Sequence, residues 1–90
     1  MSKFEASVAR VLTESKPGDV LTYGEVASEA GFPGAARAVG NFLRTAGEDL
    51  PWWRVVNSKG RLHPHGAVEQ AQLLAKEAIS CKNGHIEAWK

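Results

Sequence analysis

The sequence predicts a mainly α-helical domain with a small β-hairpin, in which a helix-turn-helix forms part of a winged-helix-like fold. Three observations predict this fold. Apolar residues recur at helical spacing in several segments. Two short segments of this kind are joined by the tight connection Phe-Pro-Gly, and an Arg-Val-Val run precedes turn residues. The 90 residues suffice for one domain, spanning residues 1 to 90, and leave no room for a second.

The first two predicted helices cover residues 3 to 14 and 23 to 30. In the first, four apolar residues fall on one helical face: Phe4, Val8, Val11 and Leu12. The second begins with a capping-box pattern, because Thr22 is followed three places later by Glu25, and it ends at Gly31.

A third helix is predicted to begin with Pro33 in its first turn and to end near residue 46. One side of it is apolar, with Ala35, Val39, Phe42 and Ala46. The opposite side combines small and polar residues: Ala36, Arg37, Gly40, Asn41 and Arg44. Small residues let a backbone approach another surface closely, so this side is typical of a recognition helix in a nucleic-acid groove. The alternative is an ordinary solvated helix face.

The C-terminal half is predicted to contain a hairpin, a long helix and a short terminal strand. Residues 53 to 62 form the hairpin, with Asn57 and Gly60 in its turn. The helix covers residues 67 to 80 and carries an apolar stripe: Val68, Ala71, Leu74, Ala75, Ala78 and Ile79. A further turn is predicted at Asn83-Gly84, ahead of the terminal strand.

Two adjacent tryptophans, Trp52 and Trp53, lie at the start of the predicted hairpin. Neighbouring side chains of a strand point to opposite sides of the sheet. We therefore expect one of the two indoles to face something other than the core.

Positive charge is concentrated in the central third of the chain, although the net charge is only +1. Residues 37 to 61 contain five basic residues and two acidic ones, Glu48 and Asp49, which gives net +3. Residues 1 to 36 have net charge −2, and residues 62 to 90 are neutral overall. A basic patch of this size can contact a few phosphates, or it can be an ordinary solvated surface.

The composition also narrows the class of protein. No apolar run of about 18 residues occurs, which excludes a transmembrane helix. The single cysteine, Cys81, cannot form an intramolecular disulfide and fits a reducing compartment, so a cytoplasmic location is expected. The three histidines, His63, His65 and His85, lack further ligands for zinc, and no metal or cofactor is expected.

Three stretches closely resemble the DNA-binding domain of the O6-alkylguanine-DNA alkyltransferases: "LTYGEVASEAGFPGAARAVGNFLR", "PWWRVVNSKGRL" and "LLAKE". The resemblance covers about residues 4 to 78. Those enzymes carry Pro-Cys-His-Arg-Val, whose cysteine accepts the alkyl group from a flipped guanine. Here the same positions are Pro-Trp-Trp-Arg-Val, from Pro51 to Val55. Tryptophan in place of the acceptor cysteine is the mark of alkyltransferase-like proteins, which resemble the repair enzymes but do not repair by themselves.

The resemblance implies a non-enzymatic sensor that binds O6-alkylguanine in double-stranded DNA and flips the base. It would pass the lesion to the proteins of nucleotide excision repair. Binding would use the minor groove, with a monomer expected and no membrane involved. Arg37 matches an arginine that fills the place of the flipped base, and Tyr23 matches a tyrosine that acts on the target's phosphate. The other implied DNA-binding residues share one helix face: Ala36, Gly40, Asn41 and Arg44.

The resemblance also implies a lesion pocket formed by Pro51, Trp52, Trp53, Arg54, Val55, Val56 and His65. Trp52 would offer a flipped base an apolar wall for stacking. Trp53 stands where the family has a histidine, and we expect it to pack in the core or behind the pocket. Glu77 either supports the pocket strand, as its counterpart does in relatives, or is a solvated helix residue.

Two other functions stay open. An alkyl-transferring enzyme would need Cys81 or another acceptor, because an indole lacks the activated thiolate that such a transfer requires. A winged-helix transcription factor would read undamaged sequence in the major groove and would usually need a dimer interface.

Overall fold

The computed structural model describes residues 1–46 and 49–89. Glu48, one of the acidic residues of the central third, lies outside this part. The described chain forms four α-helices: α1 (Lys3–Glu14), α2 (Tyr23–Glu29), α3 (Ala36–Ala46) and α4 (Ala67–Ala75). Its four short strands are β1 (Leu21–Thr22), β2 (Val55–Val56), β3 (Cys81–Lys82) and β4 (His85–Ile86). The predicted class, mainly helical with a small hairpin, is confirmed. None of the helices described is long and apolar enough to cross a membrane.

Capping boxes start α1 and α2. The Ser2 hydroxyl accepts from the Glu5 N–H at 3.1 Å, and the Ser2 N–H donates to the Glu5 carboxylate at 3.0 Å. Thr22 and Glu25 repeat this exchange at 3.0 and 2.7 Å at the start of α2, as the sequence predicts. Each box satisfies two backbone N–H groups that the first helical turn leaves without an intrahelical partner.

The third helix starts later than predicted. Pro33 was expected in its first turn, but α3 begins at Ala36. Gly34 has φ +89°, a left-handed conformation that a right-handed helix does not contain. Pro33 and Gly34 therefore form the turn between α2 and α3, and the two helices pack together as the predicted helix-turn-helix.

The hairpin predicted at residues 53 to 62 is wrong. Trp52–Arg54 forms a single 3₁₀ turn, and β2 pairs in parallel with β1, with Leu21 opposite Val55. The expected turn does form, because the Asn57 side-chain oxygen accepts from the N–H groups of Lys59 and Arg61, both at 2.9 Å. What fails is the strand pairing, since the backbone groups of β2 find their partner in β1.

The hairpin of this fold lies at the C-terminal end instead, where β3 and β4 pair antiparallel. Asn83 (φ 55°) and Gly84 (φ 72°) are both left-handed, as a two-residue type I′ turn requires. The turn predicted at these two residues is confirmed. The Leu62 N–H donates to the Gly84 carbonyl at 2.9 Å, so the hairpin is joined to the segment after β2.

The fourth helix is shorter than the predicted residues 67 to 80. Ala78 has φ +65°, and the Ile79 N–H donates to the Leu74 carbonyl at 3.0 Å. This closure satisfies carbonyls at the helix end in the Schellman manner. Val68, predicted on the buried stripe, is 76% exposed, and the buried residues of α4 are Gln70 and Leu74.

Two apolar clusters meet at β2. One joins the N-terminal helices and contains Val8, Leu12, Val26, Ala27, Ala30, Val39, Phe42, Leu43 and Val55. The other joins α4 and the hairpin and contains Val56, Leu62, Leu74 and Ile86. Val55 and Val56 enter different clusters because successive side chains of a strand point to opposite sides. The strand is thus the seam between the two halves of the core.

A buried ion pair crosses this seam. The Arg54 guanidinium lies 3.0 Å from the Glu77 carboxylate, and each side chain is only 9% exposed. Arg54 also donates to the Ser15 carbonyl and hydroxyl at 3.0 and 2.8 Å. Glu77 further accepts from the Gly18 N–H at 2.9 Å and from the Trp53 indole N–H at 2.7 Å. Of the alternatives for Glu77, the structure thus favours support of the segment before β2 over a solvated glutamate.

Glu77 is held ionised by its partners. Burial acts to raise the pKa of its carboxyl, but hydrogen bonds from Arg54, Gly18 and Trp53 and the charge of Arg54 together lower the pKa below its ordinary value. The folded state therefore releases this proton more readily than the unfolded chain.

Replacement of Glu77 by glutamine is expected to lower the free energy of unfolding at pH 7 by about 3 kcal/mol, because Arg54 is left buried without its counter-charge. A folded-state pKa that is lowered gives stability that is present above the ordinary carboxyl pKa of 4.5 and is lost as pH falls through the folded value. The wild type should therefore lose stability more steeply below about pH 5 than the variant.

Urea unfolding of both proteins at pH 7 and at steps down to about pH 3 measures this difference. Glu14→Gln is the matched control, since Glu14 is an exposed glutamate at the end of α1. If the free energy of unfolding fell with the same slope below about pH 5 in the wild type and in Glu77→Gln, the lowered pKa assigned to Glu77 would be contradicted.

Candidate nucleic-acid interface

An open cavity of about 500 Å³ lies between α3, the 3₁₀ turn and the start of α4. Its lining residues come from α2, α3, Asp49 ahead of the 3₁₀ turn, the turn itself, the segment after β2 and α4: Tyr23, Gly40, Leu43, Arg44, Thr45, Ala46, Asp49, Trp52, His63, His65, Gly66 and Glu69. A volume of this size is in the range of small-molecule and base-sized ligands.

Trp52 and Trp53 have different surroundings, as expected, although not through strand alternation. They share the 3₁₀ turn, with ring centroids 6.4 Å apart and ring planes at 83°. Trp52 lines the cavity, and a Cβ atom at Gly66 would lie 3.5 Å from its ring. Trp53 packs against the second apolar cluster and donates to Glu77. One indole is thus a cavity wall and the other belongs to the framework.

The face of α3 beside the cavity carries exposed polar side chains over a low surface. Arg37, Asn41 and Arg44 are exposed, and the Arg44 guanidinium donates to the Asn41 side-chain oxygen. Ala36 and Gly40 are partly buried between them. Arg37 forms no hydrogen bond or ion pair with the rest of the chain that the structure describes. Cations on a low, bare surface are suited to close contact with a polyanion.

Tyr23 joins this face to the cavity. It is the first residue of α2, and a Cβ atom at Gly40 would lie 3.8 Å from its ring, an ordinary van der Waals distance. Burial raises the pKa of the Tyr23 phenol above its ordinary value, so the hydroxyl stays protonated at neutral pH. Its O–H group can therefore donate a hydrogen bond to a phosphate or a base.

Several residues predicted in the lesion pocket lie outside the cavity lining: Pro51, Trp53, Arg54, Val55 and Val56. Val55 and Val56 are 1% and 0% exposed because they pack into the two apolar clusters. Arg54 is buried and engaged by Glu77 and Ser15, so it adds nothing to the exposed basic patch. The structure brings five predicted residues together at the cavity: Tyr23, Gly40, Arg44, Trp52 and His65.

Gln70 holds the cavity walls together, although its type and spacing gave no sign of this. Its side chain is fully buried, and its amide donates to the carbonyls of Trp53 (3.0 Å) and Val55 (2.9 Å). Its side-chain oxygen accepts from the His63 N–H at 2.7 Å. The 3₁₀ turn that carries Trp52 is thereby fixed to the segment that carries His63.

The segment from His63 to Gly66 forms the wall opposite α3. The His65 N–H donates to His63 Nδ1 at 3.2 Å, and the two imidazole rings lie 5.9 Å apart. His63 and Glu69 line the cavity together with His65, but the sequence predicted only His65. The sequence offered one sign that His63 belongs to the cavity: it lies two residues before His65 in an irregular segment.

Cys81 lies away from this cavity. It is the first residue of β3 and packs against the second apolar cluster. Burial, followed by the negative charge of Glu87, raises the pKa of its thiol. The thiolate that an alkyl acceptor needs is therefore disfavoured at neutral pH. Within residues 1–46 and 49–89, no three His, Cys, Asp or Glu side chains are grouped so that they could hold a metal ion.

The cavity and the α3 face lie in a part of the chain that matches a known protein family. The family model described as the DNA-binding domain of 6-O-methylguanine DNA methyltransferase matches residues 3–79. The chain belongs to this family. The α3 face, the Trp52 turn and Gln70 all lie within the matched residues, whereas the β3–β4 hairpin follows them.

Some of the similar proteins are named as base-flipping or alkyltransferase-like proteins and not as methyltransferases. A Vibrio parahaemolyticus DNA base-flipping protein is 41% identical over 83 residues, which cover 88% of this chain and 83% of that protein. Schizosaccharomyces pombe alkyltransferase-like protein 1 is 38% identical over 96 residues, covering 100% and 89%. A crystal structure of S. pombe Atl1 with damaged DNA containing O6-carboxymethylguanine superposes with a TM-score of 0.80 at 32% identity, over 89% of this chain and 80% of that one.

Replacement of Gln70 by leucine is expected to lower the free energy of unfolding by about 3 kcal/mol, because buried backbone groups lose their partners. Gln72→Leu is the matched control, since Gln72 is an exposed glutamine on the same helix and should change stability by less than about 0.5 kcal/mol. Urea unfolding of both variants measures the difference. Equal shifts in the unfolding midpoint would show that the Gln70 hydrogen bonds do not hold the two walls.

Proposed function

We propose that this protein is a non-enzymatic sensor of O6-alkylguanine in double-stranded DNA. It approaches the minor groove, flips the damaged base into the cavity and holds it there. The observation that carries the proposal is Trp52, an indole that lines an open cavity at the position where the transferases resembled by this sequence carry their acceptor cysteine. The base-flipping relative and the S. pombe protein solved with damaged DNA support the same function.

The cavity suits a flipped base on energetic grounds. Extrusion of a base costs a few kcal/mol, and stacking on an aromatic side chain returns about 1–3 kcal/mol. Alkylation at O6 disrupts pairing with cytosine, which lowers the cost of extrusion at the damaged site. Trp52 supplies the stacking surface, and Gly66 leaves its ring edge uncovered by a side chain. Discrimination then comes from the difference in flipping cost combined with the fit in the cavity.

The α3 face supplies contact with the duplex. The minor groove is narrow, about 6 Å wide, so a helix can approach it only where its side chains are small. Ala36 and Gly40 meet this need. Arg37 is exposed in the first turn of α3 and would fill the gap left by the flipped base. Tyr23, packed against Gly40, would meet the backbone of the flipped nucleotide.

The position of the thiol supports a sensor rather than an enzyme. An alkyl acceptor must be an activated nucleophile within reach of the lesion. The indole of Trp52 is not one, and Cys81 lies outside the cavity lining with its pKa raised. A protein that holds a lesion without removing it needs a second activity. We therefore infer a hand-off by the monomeric protein to nucleotide excision repair.

Equilibrium binding to two duplexes that differ only in one O6-methylguanine tests the proposal. At fixed physiological salt, we expect a preference for the lesion of tenfold or more, about 1.4 kcal/mol. Trp52→Ala and Arg37→Ala should remove most of it. Trp52→Phe should retain part of it because an aromatic wall remains, and Arg10→Ala is the control for loss of an exposed arginine elsewhere.

Equal affinity for the two duplexes would refute the lesion sensor and favour a DNA binder that reads undamaged sequence. The same samples, analysed by mass spectrometry after incubation, address the enzyme alternative. A lasting gain of one methyl group that disappears in Cys81→Ala would establish a transferase instead.

Replacement of Gly40 by alanine should separate stability from DNA binding. The added methyl group meets Tyr23 at an ordinary 3.8 Å, and alanine in a helix interior is favoured over glycine, so stability should rise by about 0.5–1 kcal/mol. The same methyl group stands on the surface that approaches DNA, so affinity for both duplexes should fall about tenfold, or about 1.4 kcal/mol. Thermal unfolding and binding isotherms measure the two effects. Unchanged affinity in a stabilised variant would show that α3 does not approach the groove closely.

A further inference from the structure

The cavity wall from His63 to Gly66 has all its backbone donors paired. The His63 N–H donates to the Gln70 side-chain oxygen at 2.7 Å, and the Gly66 N–H donates to the His63 carbonyl at 3.1 Å. Pro64 has no N–H. The remaining donor, the N–H of His65, finds its acceptor in a side chain, at 3.2 Å from Nδ1 of His63. One of the hydrogen bonds that fold this wall therefore depends on one nitrogen of an imidazole ring.

This hydrogen bond specifies the protonation state of His63. A backbone N–H can only donate, so Nδ1 must offer a lone pair, and the ring carries its single proton on Nε2. Protonation of the ring would place a hydrogen on Nδ1 as well, and two donors would then face each other. The charged ring has to turn away, which leaves the His65 N–H without its acceptor in the protein. The wall as folded here thus requires a neutral His63.

The charged groups around the cavity do not take over this role. Within residues 1–46 and 49–89, no carboxylate forms an ion pair with His63, and its imidazole accepts from the His65 N–H alone. The two imidazole rings lie 5.9 Å apart between centroids. The titratable and charged groups that line the cavity with His63 come from α2, α3, α4, the segment before the 3₁₀ turn and the same wall: Tyr23, Arg44, Asp49, His65 and Glu69.

The wall adjoins the indole on which a base would stack. A Cβ atom at Gly66 would lie 3.5 Å from the Trp52 ring, an ordinary van der Waals distance. If the His65 N–H loses its acceptor, the space beside Trp52 is no longer held in one shape. A loose wall must be ordered when a base enters, and this ordering costs free energy that a wall ordered in advance does not require.

We propose that neutral His63 is a positioning residue of the lesion cavity, and that its protonation lowers the preference for damaged DNA. The inference rests on the proposed lesion recognition and deepens it by naming a proton as a regulator of the same site. In an undamaged duplex the bases stay stacked outside the cavity, so the cost of ordering the wall falls on the lesion complex alone. Attraction between an imidazolium and phosphates acts on both duplexes. The ratio of the two affinities therefore reports on the wall.

The pH dependence of this ratio tests the inference. Affinities for the O6-methylguanine duplex and for its guanine counterpart are measured at fixed salt between about pH 8 and about pH 5.5, where ordinary imidazoles gain their charge. The range stays above the ordinary carboxyl pKa of 4.5, so Glu77 keeps its charge throughout. In the wild type, the ratio should fall about fivefold towards acid pH, which is the effect of losing one hydrogen bond.

Two replacements of His63 separate its acceptor from its charge. His63→Asn does not titrate but keeps an acceptor, because an asparagine side chain accepts from the backbone N–H two residues later in an Asx turn. It should keep the high ratio at every pH. His63→Ala has no acceptor and should show the low ratio at every pH. Any effect of pH on the DNA itself appears in both variants and can be subtracted.

The other two histidines supply the controls. His65→Asn keeps the backbone N–H and the imidazole of His63, so the ratio should still fall towards acid pH. His85 lies in β4, outside the cavity lining, and His85→Asn should match the wild type in the ratio and in its fall. Melting temperatures at both ends of the pH range check that each variant is folded.

The outcomes separate the inference from the proposed function. A wild type that prefers the lesion equally at every pH overturns the role of His63 and leaves lesion recognition in place. A fall that persists in His63→Asn also overturns it, because the titrating group then lies elsewhere. A high ratio at every pH in His65→Asn would assign the effect to the His65 ring instead. A wild type that binds both duplexes equally at pH 8 refutes the proposed lesion recognition and this inference with it.

Discussion

The buried pair of Arg54 and Glu77 is the interaction on which the rest of this structure depends. Two charges removed from water are tolerated only when each is matched by its partner and by further hydrogen bonds. Here the partners come from distant parts of the chain: Ser15 after α1, Gly18 in the next turn, and Trp53 beside Arg54 itself. The pair therefore joins the end of α1, the 3₁₀ turn and the end of α4, which are held by different apolar clusters.

The different surroundings of the two tryptophans follow from this pair. Trp53 donates its indole N–H to Glu77 and lies beside the Arg54 guanidinium, 5.7 Å from ring centroid to Cζ. With Trp53 fixed in this way, the 3₁₀ turn leaves Trp52 at 83° to it, on the side of the cavity. The polar anchoring of one indole thus determines the exposure of the other. Trp53 does not line the cavity, yet its position determines the orientation of the Trp52 ring that a ligand would contact.

Local signals predicted the elements that a few neighbouring residues determine. The capping box at Thr22 and the left-handed turn at Asn83–Gly84 are satisfied within four residues, so the sequence was sufficient for both. The pairing of β1 with β2 joins distant segments by two-residue strands, which are too short for an alternation pattern. Gln70 and Arg54 are buried polar residues, and hydropathy assigns such residues to the surface. In the cavity, Trp52 was predicted from the position it occupies in a family motif, whereas Glu69 had neither motif nor periodicity to mark it.

In the proposed function the protein forms no covalent bond with the lesion, so the cavity walls need to be in place before the base arrives. The difference in binding free energy between a damaged and an intact site must then exceed any cost of ordering the cavity. Gln70 joins the turn that carries Trp52 to the segment that carries His63, and the ion pair holds the same turn from behind. Both restraints belong to the free protein and need no DNA. In the proposed function, the binding energy of the flipped base is then available for discrimination, because the protein framework has already ordered the surface that receives it.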